Sequence, residues 1–141
     1  MFRLQVVAGR WRAAAAALRF ARSLRSFTRI GVVQSWDLTE IEAPEGTRLA
    51  AALETADGAR AIVIRLGPGE ELGDHQVRER AWLTVVEGTA RIEAGGNSVE
   101  AGPATLLTFE PGEQHSVASE GGARIVMILS PWPGEGHYPA T

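Results

Sequence analysis

From about residue 47 onward, apolar and polar residues fall into short runs separated by turn-forming residues. The stretches "RLAAALETA" (48–56), "ARAIVIRL" (59–66), "AWLTVVEG" (81–88), "TARIEA" (89–94), "ATLLTFE" (104–110), "HSVAS" (115–119) and "ARIVMILS" (123–130) are each of strand length and rich in Val, Ile, Leu or Thr. Between them, Asp57-Gly58 and Gly95-Gly96-Asn97 supply the left-handed backbone that tight hairpins need, and Gly67-Pro68-Gly69 and Pro111-Gly112 break the chain. Strands at this spacing, with no helical pattern between them, predict an antiparallel sandwich or barrel. The tail "SPWPGEGHYPAT" is excluded from the core, because Pro131, Pro133 and Pro139 lack the donors of a ladder. Its Trp132-Pro133 and Tyr138-Pro139 pairs are expected to cap a barrel edge.

Ahead of this body the pattern is different. Residues 10–30, "RWRAAAAALRFARSLRSFTRI", predict a helix, with Phe20, Leu24 and Phe27 at i, i+4 and i+7 and Arg19, Arg22 and Arg29 on the other side. The organisation expected is therefore a basic amphipathic helical extension over 1–32 and a β-barrel domain over 33–141. The extension has three functional readings, a membrane-surface anchor, a transit peptide or a nucleic-acid arm, and one plain one, a loosely attached segment preceding a later valine start in "GVVQSWDL".

Charge sharpens this division. Residues 1–36 hold seven arginines and no acid, hence +7, whereas residues 37–141 hold seven arginines and seventeen acids, hence −10. An acidic body is a poor partner for nucleic acid, since phosphate binding rests on clustered cations and counterion release. With no cysteine in the chain, disulfides, thiolate nucleophiles and cysteine-held metals are excluded, and a cytoplasmic location is expected. No apolar run approaches the roughly 18 residues of a membrane span. Walker loops, G-x-S-x-G elbows and H-E-x-x-H pairs are absent as well.

What chemistry remains lies with two histidines. His75 stands just ahead of an expected strand and His115 follows the Pro-Gly turn, so each is placed to point from a β-element into a shared interior. The pattern resembles the cupin family of jelly-roll barrels. That family's first motif, G-x5-H-x-H-x3-E-x6-G, finds Gly69, His75 and Gly88 here, with Val77 at its second histidine and Ala81 at its glutamate. The second, P-x-G-x2-H-x3-N, finds Gly112 and His115, with Glu110 at the proline and Ser119 at the asparagine; Gly102 lies two residues farther from that proline position than the family spacing puts its glycine. The resemblance spans about residues 45–131 and implies a divalent transition metal, Fe, Mn, Ni or Zn, held by three histidines and a glutamate.

Two of those four positions are hydrocarbon in this chain, and two imidazoles alone leave most of a coordination sphere to water. Any metal at His75 and His115 is therefore expected to be weakly held. Neighbouring acids offer no trusted replacement: Asp74 and Gln76 alternate to the face opposite His75, Glu79 falls where the chain is expected to turn, Glu113 lies in the Pro-Gly turn, and His137 sits in the tail. His75, Val77, Ala81, Leu83 and His115 instead suggest a pocket with apolar walls and a few polar groups, suited to a small organic molecule. The alternatives are a metal-dependent enzyme, dioxygenase-like or isomerase-like, built on the two histidines, and a sensory or structural module docking to a membrane or partner through its basic helix. On the outward side, Trp82, Thr84 and Val86 share one face of their strand, and residues 104–109 are apolar on both faces, which predicts cover by the N-terminal segment or by a second subunit, with a homodimer expected.

Overall fold

A computed structural model describes residues 27–30, 33–45 and 50–136 of the chain. Among the described residues there are eleven strands and no helix. They fall into two units, Met1–Ile41 and Glu42–Thr141.

In the first unit, β1 (Phe27–Ile30) and β2 (Val33–Trp36) form an antiparallel hairpin, with Phe27 opposite Trp36 and Ile30 opposite Val33. The helix expected over 10–30 therefore does not include its last four residues. Phe27, Thr28 and Ile30 are aromatic or β-branched, and pairing with an equally β-prone strand outweighs a helical period that rested on Phe27 alone at this end. Residues 1–26 lie outside the described residues. After β2 the chain turns at Asp37, whose carboxylate accepts hydrogen bonds from the Thr39 amide (3.0 Å) and hydroxyl (2.6 Å). Those bonds hold the Asp37 carboxyl below the usual carboxylate range.

The second unit contains β3 (Ala51–Ala56), β4 (Ala59–Leu66), β5 (Glu70–His75), β6 (Arg80–Gly88), β7 (Ala90–Ala94), β8 (Asn97–Ala101), β9 (Leu106–Phe109), β10 (His115–Ser119) and β11 (Ala123–Ser130). One antiparallel sheet runs β3-β4-β11-β6-β9 and the other β5-β10-β7-β8. Apart from the β3-β4 and β7-β8 hairpins, consecutive strands lie in different sheets, as in a jelly roll. The hairpins read from the sequence form where expected: Asp57 and Gly58 have φ of 52° and 72°, and Gly95 and Gly96 have 56° and 78°. Two strands carry too little apolar signal to stand out. β5, "EELGDH", is half charged with one large apolar residue, and β8, "NSVEA", likewise holds a single large apolar residue.

Alternation builds the core. On β6, Ala81, Leu83 and Val85 are buried while Trp82 between them is exposed, and on β11 Ala123, Ile125, Met127 and Leu129 do the same. They join Ile92 of β7, Ala101 of β8 and Val117 of β10 in one cluster spanning both sheets. Each large aliphatic side chain hidden there contributes about 1.5–3 kcal/mol. Where β6 ends, the backbone itself is close-packed: Gly88 has φ of 75°, and a Cβ at that position would stand 2.1 Å from the Gly122 carbonyl oxygen. On the outer face of the five-stranded sheet, Trp82 (41% exposed) lies opposite Ile128 (44%), with Leu106 (59%) on β9.

Candidate functional site

The two histidines meet at one end of the barrel, where β5 finishes and β10 starts. His115 is the register partner of His75, and their ring centroids are 4.3 Å apart at 61°. A β-bulge makes this meeting possible. Between the pairs His115–His75 and Val117–Leu72, β10 advances two residues and β5 three, so Gly73-Asp74 absorbs an extra residue. Leu72, which packs on the core, and His75 are thereby brought to the same face although they stand three positions apart. Asp74 and Gln76 are left exposed, as alternation around His75 predicts.

His115 is aimed by the turn before it. Pro111 and Gly112 (φ 76°) form a type II turn closed by the Glu113 amide donating to the Glu110 carbonyl at 3.0 Å. The Glu113 carboxylate accepts from the Glu110 amide at 2.8 Å, which employs it within the turn. Gly112 N–H donates to the Val77 carbonyl at 2.8 Å, docking the turn on the segment between β5 and β6. Glu110, standing at the proline position of the motif, holds Arg80 through two bonds of 2.8 and 2.6 Å. Two residues beyond Gly102, where the family spacing puts a glycine, Ala104 adopts φ of 67°, a left-handed conformation costly for a residue with a Cβ.

Both imidazoles are oriented through Nδ1. His75 Nδ1 lies 2.7 Å from the Gly73 carbonyl and His115 Nδ1 3.0 Å from the Glu113 carbonyl. A carbonyl only accepts, so each Nδ1 carries the proton and in a neutral ring Nε2 holds the lone pair. Burial pushes the His115 pKa below its ordinary value; the bond to the Glu113 carbonyl opposes this and the neighbouring His75 reinforces it. His115 is 1% exposed, and its Nε2 is buried without a hydrogen-bond partner. Leaving such an acceptor unmet costs about 1–3 kcal/mol. The other face of the ring stacks on Phe109, centroid to centroid 3.9 Å at 7°. Phe109 belongs to the opposite sheet, paired with Ala81, and so bridges the two layers.

The residues singled out in the sequence are placed as follows. His75 and His115 are in contact, Val77 is half-buried against the core beside the Pro-Gly turn, and Ala81 is fully buried next to Phe109. Leu83 lies deeper on β6, opposite Leu107. Phe109 was not among them, although it shares the parity of Leu107 two residues before the turn. Glu79 lies at the bend before β6, where the chain is expected to turn, but its side chain is inside: it is 1% exposed and accepts a 2.6 Å hydrogen bond from Gly134 N–H. Its alternation with Ala81 and Leu83 was the available signal. The segment after β11 closes over this end: Trp132 packs on the core, donates its amide to the Gly58 carbonyl at 2.6 Å, and lies 4.7 Å under the Arg60 guanidinium, which is the edge-capping role expected of it. His137 and Tyr138 lie outside the described residues.

These groups do not fit a cupin metal centre. Positions 77 and 81 offer hydrocarbon, the Glu79 and Glu113 carboxylates have the bonds just given, and among the described residues no three His, Asp or Glu side chains are grouped to hold an ion. Two clefts of about 410 and 600 Å³ open at the opposite end, around Gly88 and Gly122, with no histidine in their walls.

Residues 62–130 match the family described as "Cupin domain". A cupin superfamily protein of Desulfitobacterium hafniense superposes with a TM-score of 0.60 at 20% identity, covering 67% of this chain and 86% of that one. The EutQ protein of Clostridium difficile gives 0.64 at 16%, covering 77% and 97%. KdgF from Halomonas sp. gives 0.54 at 16%, covering 59% and 77%. No curated protein matches the sequence.

Proposed function

Residues 62–130 are a cupin domain, and from that premise we propose that the barrel binds a small organic molecule at the paired imidazoles and has given up the family's tight metal centre. The observation that carries this reading is the buried, unpartnered Nε2 of His115, on a ring stacked against Phe109, the register partner of Ala81. A buried acceptor without a partner, among apolar side chains, is a group that a donor-bearing organic molecule would satisfy. Metal retention separates this from the alternative of a metal-dependent cupin enzyme on His75 and His115. Elemental analysis of protein purified without a histidine tag is expected to find iron, manganese, nickel and zinc each well below one per chain, with no change in His75→Ala. A full equivalent lost in that variant would favour the enzyme.

A homodimer is part of the proposal, formed through the outer face carrying Trp82, Leu106 and Ile128. Light scattering at micromolar concentration is expected to give twice the 15.1 kDa chain mass, and a monomeric mass would contradict it. Docking to anionic membranes through residues 1–32 is the remaining reading; flotation with vesicles, with and without that segment, decides it. No helix among the described residues is long and apolar enough to cross a membrane.

A further inference from the structure

Resting on the barrel-binding reading, we propose that the ligand class is an uncharged molecule bearing a hydrogen-bond donor, an alcohol, phenol or amide, that donates to His115 Nε2, and that the site discriminates against carboxylates and acceptor-only molecules. The tautomer dictates this. Because the Glu113 carbonyl takes the Nδ1 proton, the buried edge of His115 offers a lone pair and nothing else. A carboxylate, ketone or ether oxygen brought to that edge would set lone pair against lone pair.

The charges placed at this end reinforce the choice. Glu79 is buried and Glu113 lies in the adjoining turn, so an entering anion meets carboxylates. Of the cations, Arg80 is engaged in the fork with Glu110. An ammonium group would also donate, but Ala81, Leu83 and Phe109, each 3% exposed or less, give no water to a charge.

Pairs of equal shape test the inference on the full chain labelled with ¹⁵N histidine: isopropanol against acetone, cyclohexanol against cyclohexanone, phenol against fluorobenzene, with benzoate as the anion. The free protein should show His115 as the Nδ1–H tautomer. At least one donor should move the Nε2 resonance and bind about tenfold or more tightly than its partner, since a site with a buried polar group rejects the analogue that leaves it unpaired. His115→Phe keeps the stacked ring, removes the acceptor and should equalise the pair; should it fail to fold, the wild-type comparison still decides. A proton on Nε2 in the free protein, equal binding within every pair, or tightest binding by benzoate overturns the donor inference and leaves barrel binding standing. Histidine resonances unmoved by every probe would overturn the barrel reading itself.

Discussion

Replacing Gly88 by alanine isolates a backbone contact that fixes one end of the barrel. Gly88 (φ 75°) and Gly96 (φ 78°) share nearly the same left-handed conformation, so a Cβ costs each about 1–2 kcal/mol, partly offset by the stiffer unfolded chain. They differ in surroundings. A Cβ on Gly96 meets nothing within 4 Å, whereas on Gly88 it stands 2.1 Å from the Gly122 carbonyl oxygen and 3.0 Å from the Ala123 Cα. The obstruction is backbone on both sides, and Gly122 itself sits close under the Leu66 carbonyl, so relief requires β6 and the turn before β11 to separate. Overpacking of this kind costs about 1–3 kcal/mol. At about 4–8 °C per kcal/mol for a domain of this size, Gly88→Ala is expected to melt roughly 5–20 °C below Gly96→Ala. Differential scanning calorimetry of the two variants measures it. Equal melting temperatures would refute the argument that Gly88 serves close approach and would reduce the motif glycine to a turn residue.

Ala104→Gly relieves a left-handed alanine at the cost of a looser unfolded chain, so a gain of up to about 1 kcal/mol is expected, read as a higher urea midpoint. Phe109→Ala removes the ring that bridges the sheets and stacks on His115; about 3–5 kcal/mol should be lost, and the histidine resonances should shift. Gly134→Ala would put a Cβ 2.8 Å from the Arg78 carbonyl carbon, and the backbone shift that relieves it would draw residue 134's N–H away from the buried Glu79 carboxylate, with an expected cost of about 1–3 kcal/mol in urea unfolding. Because the folded-state pKa of His115 lies below its unfolded value, the unfolded chain takes up the proton first, so stability should fall as pH drops from about 6.5 and level off below the folded pKa, and His115→Phe should flatten that part of the profile.

What could be read from the sequence was local. Asp57-Gly58 and Gly95-Gly96 encode their turns in four residues, and Leu83, Val85 and Ile125 announce their faces by simple alternation. β5 and β1 escaped that reading for opposite reasons. The first is charged because it leaves little side chain in the core, and the second has a helical period that pairing with β2 overrides. The histidine positions were legible as spacing, but the partners that define their chemistry were not. Alternation shows Phe109 and Glu79 facing inward but not what they meet: Phe109, six residues ahead, reaches His115 from the other sheet, and Glu79 is bonded by Gly134, 55 residues away.

The irregularity at Gly73-Asp74 makes strand regularity a variable of the chemistry. Leu72 and His75 share a face only because one residue between them is absorbed, so the same residues drawn into a straight strand would carry the His75 ring to the other side with every atom of it retained, whereas deleting either Gly73 or Asp74 would leave it opposite His115. Related chains of equal length can therefore present this imidazole on either side, according to whether the strand bulges there. An alignment column filled with histidine would not reveal which of them still carry it indoors.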